Sequence, residues 1–310
     1  MPRPFPRSRL RRLAAVAGLG CLALTGVTGL SGLGSSATGA VYTTSLAAGS
    51  ATFTTRAACS AGTGYPAAVV ALGPTFYYRF GEAAAPYPGS VADSSGNGNG
   101  GTVVAGSPAS TALTFGAPSP IWCDDTGAIS QAPIDQAAST AGFVVWPTLR
   151  THPDVFTLMA WVQTAPGMST GGQVMGFGNS LTARSSMYDR HVYLDNAGHV
   201  VFGIWTGSPT VLTSPGVVND GKPHQLVASL GPAGGRLYVD GALVASDPSW
   251  TVGQTYDGYW RVGWDSLGAW GTGTDPADYG MAGTIDEAAV FDGKELTPGE
   301  VSATYATNHW

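Results

Sequence analysis

Charged side chains are scarce in this sequence: Asp, Glu, Lys and Arg make up 11% of its 310 residues. Basic ones are scarcer still in the body of the chain. Five of the 14 lysines and arginines (Arg3, Arg7, Arg9, Arg11 and Arg12) lie in the first twelve positions, leaving nine basic against 20 acidic residues, a balance of −11. Such a surface gives no electrostatic footprint for nucleic acid or an anionic membrane. There are three cysteines, Cys21, Cys59 and Cys123, with no CxxC pair and no Cys/His cluster, which argues against zinc. No Gly-x-Ser-x-Gly elbow occurs, and the five histidines sit in strand, turn or terminal contexts, so nucleophilic catalysis of that type has no frame. His191, His199 and His224 read as packed or strand-edge histidines rather than bases. The glycine-rich loop after Asp93 lacks the Lys-Ser/Thr ending of a phosphate loop, and no internal repeat of fixed period is visible.

What is present is turn chemistry and apolar material. Forty-five glycines and 21 prolines suit an all-β, turn-rich protein, and 44% hydrophobic with 10% aromatic residues suffices for a sizeable core. The length allows one large β-sandwich or two small domains. Residues 1–40 read as an export signal: a basic stretch, an apolar segment Leu13–Leu33, then small residues Ser35–Ala40. Cleavage is expected near Ala40, with Ala48 as a second position. An uncleaved membrane anchor is the alternative, since about 20 apolar residues can span a bilayer. A lipoprotein site at Cys21 fits less well, because Gly18 stands where an aliphatic residue belongs. Residues 41–64 read as a leader or edge segment and 65–310 as the domain proper. In an exported chain Cys59 and Cys123 form an even pair, expected as a disulfide worth roughly 2–5 kcal/mol; two buried free thiols are the alternative.

The most legible stretch is Asn219–Ser246. His224–Leu230 alternates, with Leu226, Ala228 and Leu230 on one face and Gln225, Val227 and Ser229 on the other, as a strand with one dry and one wet face. Gly231–Gly235 turns the chain into a second strand, Arg236–Val239. Asp240-Gly241 is a two-residue hairpin signal before the third, Ala242–Ser246. Further strands are expected at 76–80, 102–104, 143–146, 156–164, 173–176, 191–194, 199–205, 259–263 and 281–291. One helix is expected, at the C-terminal end, where Thr297-Pro298-Gly299-Glu300 forms a capping box with proline at the first helical position.

The run DGKPHQLVASL…GGRLYVDGALVAS resembles the central signature of laminin-G-like domains in the concanavalin A-like jelly-roll group, with Phe156–Thr164 before it and Gly283–Asp292 (GTIDEAAVFD) after it. The resemblance covers roughly residues 66–308 and implies an all-β fold, two antiparallel sheets packed as a jelly-roll sandwich. It also implies a structural calcium ion. Asp93 and Asn97 lie in a loop, DSSGNGNGG, that offers hard oxygen ligands, and the resemblance sets Asp286 opposite Asp93. An ordinary turn whose Asp and Asn bond their own backbone is the alternative. Laminarinase-like enzymes of this fold carry a Glu-x-Asp-x-x-Glu motif. The four glutamates here, Glu82, Glu287, Glu295 and Glu300, do not form it, and Glu287 is expected on the opposite strand face from Asp286.

The remaining signal is aromatic. Trp250–Tyr279 interleaves tryptophans and tyrosines with aspartates, as sugar sites combine flat platforms with nearby acceptors. Trp264, Asp265, Trp270 and Tyr279, in a glycine-rich stretch, are the expected ligand-binding rim; core packing is the competing reading for each ring. The function expected is a secreted, non-catalytic module for glycans or glycoproteins at the cell surface, stabilised by calcium. Two other classes stay open, a glycoside hydrolase or lyase of the same fold and a structural or interaction protein of the envelope. Membrane association is expected only if the N-terminal segment is uncleaved.

Overall fold

The computed structural model describes residues 64–82, 89–106, 113–121, 127–135, 138, 141–268, 270, 276 and 278–308. All belong to one compact unit, Cys59–Trp310. The export signal, the leader up to residue 63, and Cys21, Cys59 and Cys123 lie outside the described residues.

Among the described residues there are two helices and nineteen strands. The chain begins with α1 (Tyr65–Ala71), β1 (Phe76–Tyr78), β2 (Ser90–Val91), β3 (Gly101–Val104) and β4 (Thr114–Ala117). It continues through β5 (Ala128–Gln131), β6 (Ile134–Asp135), β7 (Phe143–Val145), β8 (Arg150–Thr151) and β9 (Phe156–Gln163). Longer strands follow: β10 (Gly172–Gly178), β11 (Tyr188–Leu194), β12 (His199–Trp205), β13 (Pro209–Val217) and β14 (His224–Leu230). The last elements are β15 (Gly235–Val239), β16 (Ala242–Asp247), β17 (Asp257–Gly263), β18 (Asp278–Gly280), β19 (Gly283–Asp292) and α2 (Pro298–Tyr305).

The first sheet runs β16-β15-β14-β9-β19-β5-β4, with β1 also on β19; the second runs β13-β12-β11-β10-β17-β7-β3-β2, with β6, β8 and β18 at its margins. The ladders are antiparallel apart from a single-residue parallel contact of β10 with β18. This is the expected two-sheet jelly-roll sandwich. Between the sheets, Leu158, Ala160, Val162, Leu226, Ala228 and Leu230 meet Met175, Phe177, Val192, Phe202, Trp260 and Val262 in one buried cluster. Each large apolar side chain fully buried there contributes on the order of 1.5–3 kcal/mol.

The meander forms as its alternation requires, and Asp240 (φ 52°) and Gly241 (φ 75°) make the tight turn. Its second face is not wet, however. Gln225, Val227 and Ser229 are all buried, because α1 and α2 cover the outer face of the first sheet. Tyr65 and Val69 of α1 and Val301 of α2 pack there on Tyr77, Trp161, Val227 and Tyr238. Helix α2 carries the expected capping box. Helix α1 was not expected from the sequence. Seven residues with two valines and a proline have little helical tendency of their own, and docking of Tyr65 and Val69 on the sheet supplies the stability.

Candidate functional site

The two outer faces of the sandwich are finished differently. Helices close the first. The second sheet's outer face, with Phe143, Val145, Tyr193 and Val201, is covered by the chain returning after β17, through Trp264, Leu267, Trp270 and Tyr279. Glycines on the strands make room for this cover. A Cβ at Gly203 of β12 would come within 2.6 Å of the Trp270 ring, and one at Gly176 of β10 within 2.7 Å of His191 Cβ. At Gly178 a Cβ would collide with Ser185 Oγ and Asp265 Oδ2. Glycine inside a strand marks such close approach.

Polar groups are buried on this same face, several without partners. Among the described residues, Gln173 Oε1, both ring nitrogens of His191 and Trp264 Nε1 have no hydrogen-bond partner. Gln173 and His191 are each 1% exposed. Burial lowers the His191 pKa to about 3, so the imidazole is neutral. Unpaired buried polar atoms are uncommon in native proteins, and here they occur beneath both outer faces, since Trp161 Nε1, Gln225 Oε1, Ser229 Oγ and the Tyr77 and Tyr238 hydroxyls also lack partners under the helices. At the margin of the second sheet's face stand the half-buried rings of Tyr188, Trp205 and Tyr259. The sequence reading took His191 as a packed or strand-edge histidine and Tyr259 as part of the aromatic stretch, and passed over Gln173, Tyr188 and Trp205; the glycine spacing of GQVMGFG in β10 is the signal that marks the place.

Trp264, Asp265, Trp270 and Tyr279 do come together on this face, but not as an exposed rim. They are 0%, 1%, 1% and 6% exposed. The reason is the sheet itself: its outer apolar rows need cover, and these rings provide it. Asp265 pairs with Arg261 at 2.9 Å and accepts from Ser185 N at 2.8 Å. Arg261 also donates to the carbonyls of Ser180 and Ala183 and lies over the Phe143 ring at 4.1 Å. This clamp fixes the loop before β11 against β17.

The expected calcium ligands do not fit an ion as placed. Asp93 Oδ1 accepts from Tyr77 N and Ser95 N, both at 2.9 Å; Oδ2 accepts from Ser95 Oγ at 2.7 Å and Asn99 N at 2.8 Å. Asn97 turns its amide nitrogen to Pro74 O at 2.8 Å. Asp286 accepts from Ser119 Oγ at 2.6 Å and from Glu287 N at 2.7 Å. Among the described residues no three His, Cys, Asp or Glu side chains group closely enough to hold a metal.

Glu287 is not simply opposite Asp286. A register shift falls between Asp286 and Ala289, and Glu287 has φ 52°, so the alternation breaks at a bulge. Both carboxylates act on the Tyr65 hydroxyl, whose pKa rises chiefly through burial. Glu287 is fully buried and accepts from Arg79 Nε at 3.0 Å. The other glutamates are likewise engaged in structure. Glu82 accepts from Ala92 N, Glu295 pairs with Arg236, and Glu300 closes the α2 cap.

A laminin-G-type family model, described as the concanavalin A-like lectin/glucanases superfamily, matches residues 138–302. That is more than half of the chain, and the chain belongs to this superfamily. No curated protein matches it by sequence. Among solved structures it is similar to Trypanosoma rangeli sialidase in complex with sialic acid, at 12% identity and a TM-score of 0.47, covering 76% of this chain and 33% of the sialidase. It is similar to domain 4 of a GH43 extracellular arabinanase from Geobacillus stearothermophilus in complex with arabinotriose, at 15% identity and 0.43, covering 75% of this chain and 98% of that domain. A third is the binding domain of Botulinum neurotoxin serotype D, at 12% and 0.47, covering 76% and 50%. The chain thus spans about a third of the sialidase and half of the toxin domain, and the sugars named belong to those proteins.

Proposed function

We propose that this protein is a non-catalytic carbohydrate-binding module that takes a glycan or glycoprotein on the outer face of the second sheet. The observation that carries this reading is that this face is closed by aromatic residues of the returning chain rather than by helices, and keeps the half-buried rings of Tyr188, Trp205 and Tyr259 at its margin beside the buried Gln173 and His191. Sugars present apolar C–H faces and hydroxyl rims, which suit rings and polar side chains together. The superfamily spans lectins and glucanases, and the engagement of all four glutamates in ion pairs, caps and turns favours binding over hydrolysis. Export to the cell exterior belongs to the same proposal and rests on residues 1–40. Calcium is carried by the family resemblance alone, and the reading does not need it.

The test is an oligosaccharide array probed with the full-length chain, with calcium and with chelator, beside an assay for released reducing ends. Binding without turnover is expected, along with a melting curve that ignores calcium, since Asp93 is already satisfied. Release of reducing ends would make the protein an enzyme, and absence of any binding would leave the structural role. A calcium-dependent rise in melting temperature that Asp286→Ala removes would establish the metal site.

A further inference from the structure

We infer that Asn97 is a site of spontaneous covalent modification, and that the fold selects it over Asn99, which has the same neighbours in sequence. The stretch Gly96-Asn97-Gly98-Asn99-Gly100 holds two Asn-Gly dipeptides in tandem. In each, glycine offers no side chain to keep its backbone nitrogen away from the asparagine Cγ. Sequence alone does not rank the two; their surroundings do. Asn99 is locked. Its N donates to Asp93 Oδ2 at 2.8 Å and its Nδ2 to Thr75 O at 2.8 Å, while its O accepts from the Tyr78 hydroxyl at 2.9 Å. Gly100 is half-buried, a Cβ there would lie 3.1 Å from Val91 O, and β3 begins at the next residue. The Asn99–Gly100 peptide is thus held from both sides, and its nitrogen is kept from turning onto Cγ.

Gly96, Asn97 and Gly98 are all exposed, and a Cβ at Gly98 (φ 74°) would meet nothing within 4 Å. The Asn97 side chain is tied through Nδ2, to Pro74 O at 2.8 Å and Thr75 O at 3.3 Å. Those bonds hold the atom that departs in the reaction, not the peptide that attacks. Gly98 N gives up its proton to base and bonds to Asn97 Cγ; the Cγ–Nδ2 bond breaks, and the nitrogen takes a proton from solvent and leaves as ammonia. Water then opens the succinimide at either carbonyl, giving an aspartyl or an isoaspartyl residue. Water is the sole co-reactant. The donor aimed at Pro74 O and Thr75 O is thereby replaced by a carboxylate, which only accepts, so attraction becomes repulsion. The isoaspartyl form also lengthens the backbone between Gly96 and Gly98, both in the left-handed region. Thr75 keeps its own hold on β19, with its N on Val290 O at 2.7 Å and its Oγ1 accepting from Asp292 N at 2.8 Å. The change therefore releases the loop and leaves the sandwich standing.

The test ages the full-length chain in mildly alkaline buffer, folded and in denaturant, and maps its peptides by mass spectrometry with aspartyl and isoaspartyl products resolved. In denaturant the two asparagines should convert at similar rates. In the folded chain Asn97 should lead Asn99 by about tenfold or more. Conversion at Asn97 should slow as pH is lowered, because attack needs the deprotonated Gly98 nitrogen. Asn97→Gln should convert far more slowly, since its longer side chain has to close a larger ring. Aged protein should exchange amide hydrogens faster in residues 93–100 and melt about 2–4 °C lower, and Asn97→Asp should show the same fall before any ageing. Equal rates at Asn97 and Asn99 in the folded chain would overturn the inference, as would conversion at neither while the unfolded chain reacts. An Asn97→Asp chain that melts and exchanges like the wild type would overturn the release of the loop.

Discussion

His224 stands at the head of β14 between two carboxylates, with Nδ1 2.7 Å from Asp240 Oδ2 and Nε2 3.1 Å from Asp220 Oδ1. Burial alone would lower its pKa, but the hydrogen bonds to Asp240 and Asp220 outweigh that and hold it above the model-peptide value of 6.5. Lys222 pairs with Asp220 at 3.0 Å on the solvent side. A raised folded pKa means the native state binds the proton more tightly than the unfolded chain. The stability from this contact is therefore fully present below pH 6.5 and is lost as pH rises through the higher folded value. His191, held neutral by burial, acts alike in both proteins, so in thermal melts from about pH 5.5 to 8.5 the melting-temperature advantage of the wild type over His224→Gln should shrink as pH rises. Equal slopes would show that the imidazolium contributes nothing. The sequence placed His224 at a strand start but gave no sign of this pairing, because Asp220 and Asp240 reach it only once the hairpin has closed. The same holds for Trp264 and Trp270. Glycine-rich surroundings suggested exposed platforms, and only the uncovered rows of the second sheet explain why both rings are buried.

At the scale of elements, what was legible followed local rules. The β14–β16 meander came from period-two alternation and an Asp-Gly turn, and α2 from its capping box. Helix α1 and the β19 bulge were not legible, since one depends on docking and the other on a break in register opposite β9. The hairpin shows how tightly an element can be fixed by its neighbour. Gly241 has φ 75°, and a Cβ there would lie 2.8 Å from Tyr305 Cβ of α2. Gly241→Ala should cost more than about 1 kcal/mol, combining backbone strain with displacement of α2. Denaturant unfolding measures this, and a loss within error of zero would mean α2 shifts freely.

For the molecule as a whole, the sandwich offers one outer face closed by helices and another closed by aromatic rings of the returning chain, with buried polar atoms lacking partners under both. The fold was readable from three short motifs. The face was half readable: Trp264, Asp265, Trp270 and Tyr279 were named and His191 was read as packed, but Gln173, Tyr188 and Trp205 were not singled out. Strand residues that meet only across a sheet leave no mark at fixed sequence spacing. The most direct measurement of the central claim is hydrogen–deuterium exchange of the full-length chain, free and saturated with an oligosaccharide selected on the array. The account expects added protection in β11, β12 and β17, residues 188–194, 199–205 and 257–263, with α1 and α2 unchanged. Protection confined to α1, α2 and the first sheet would place the ligand on the opposite face and contradict the account.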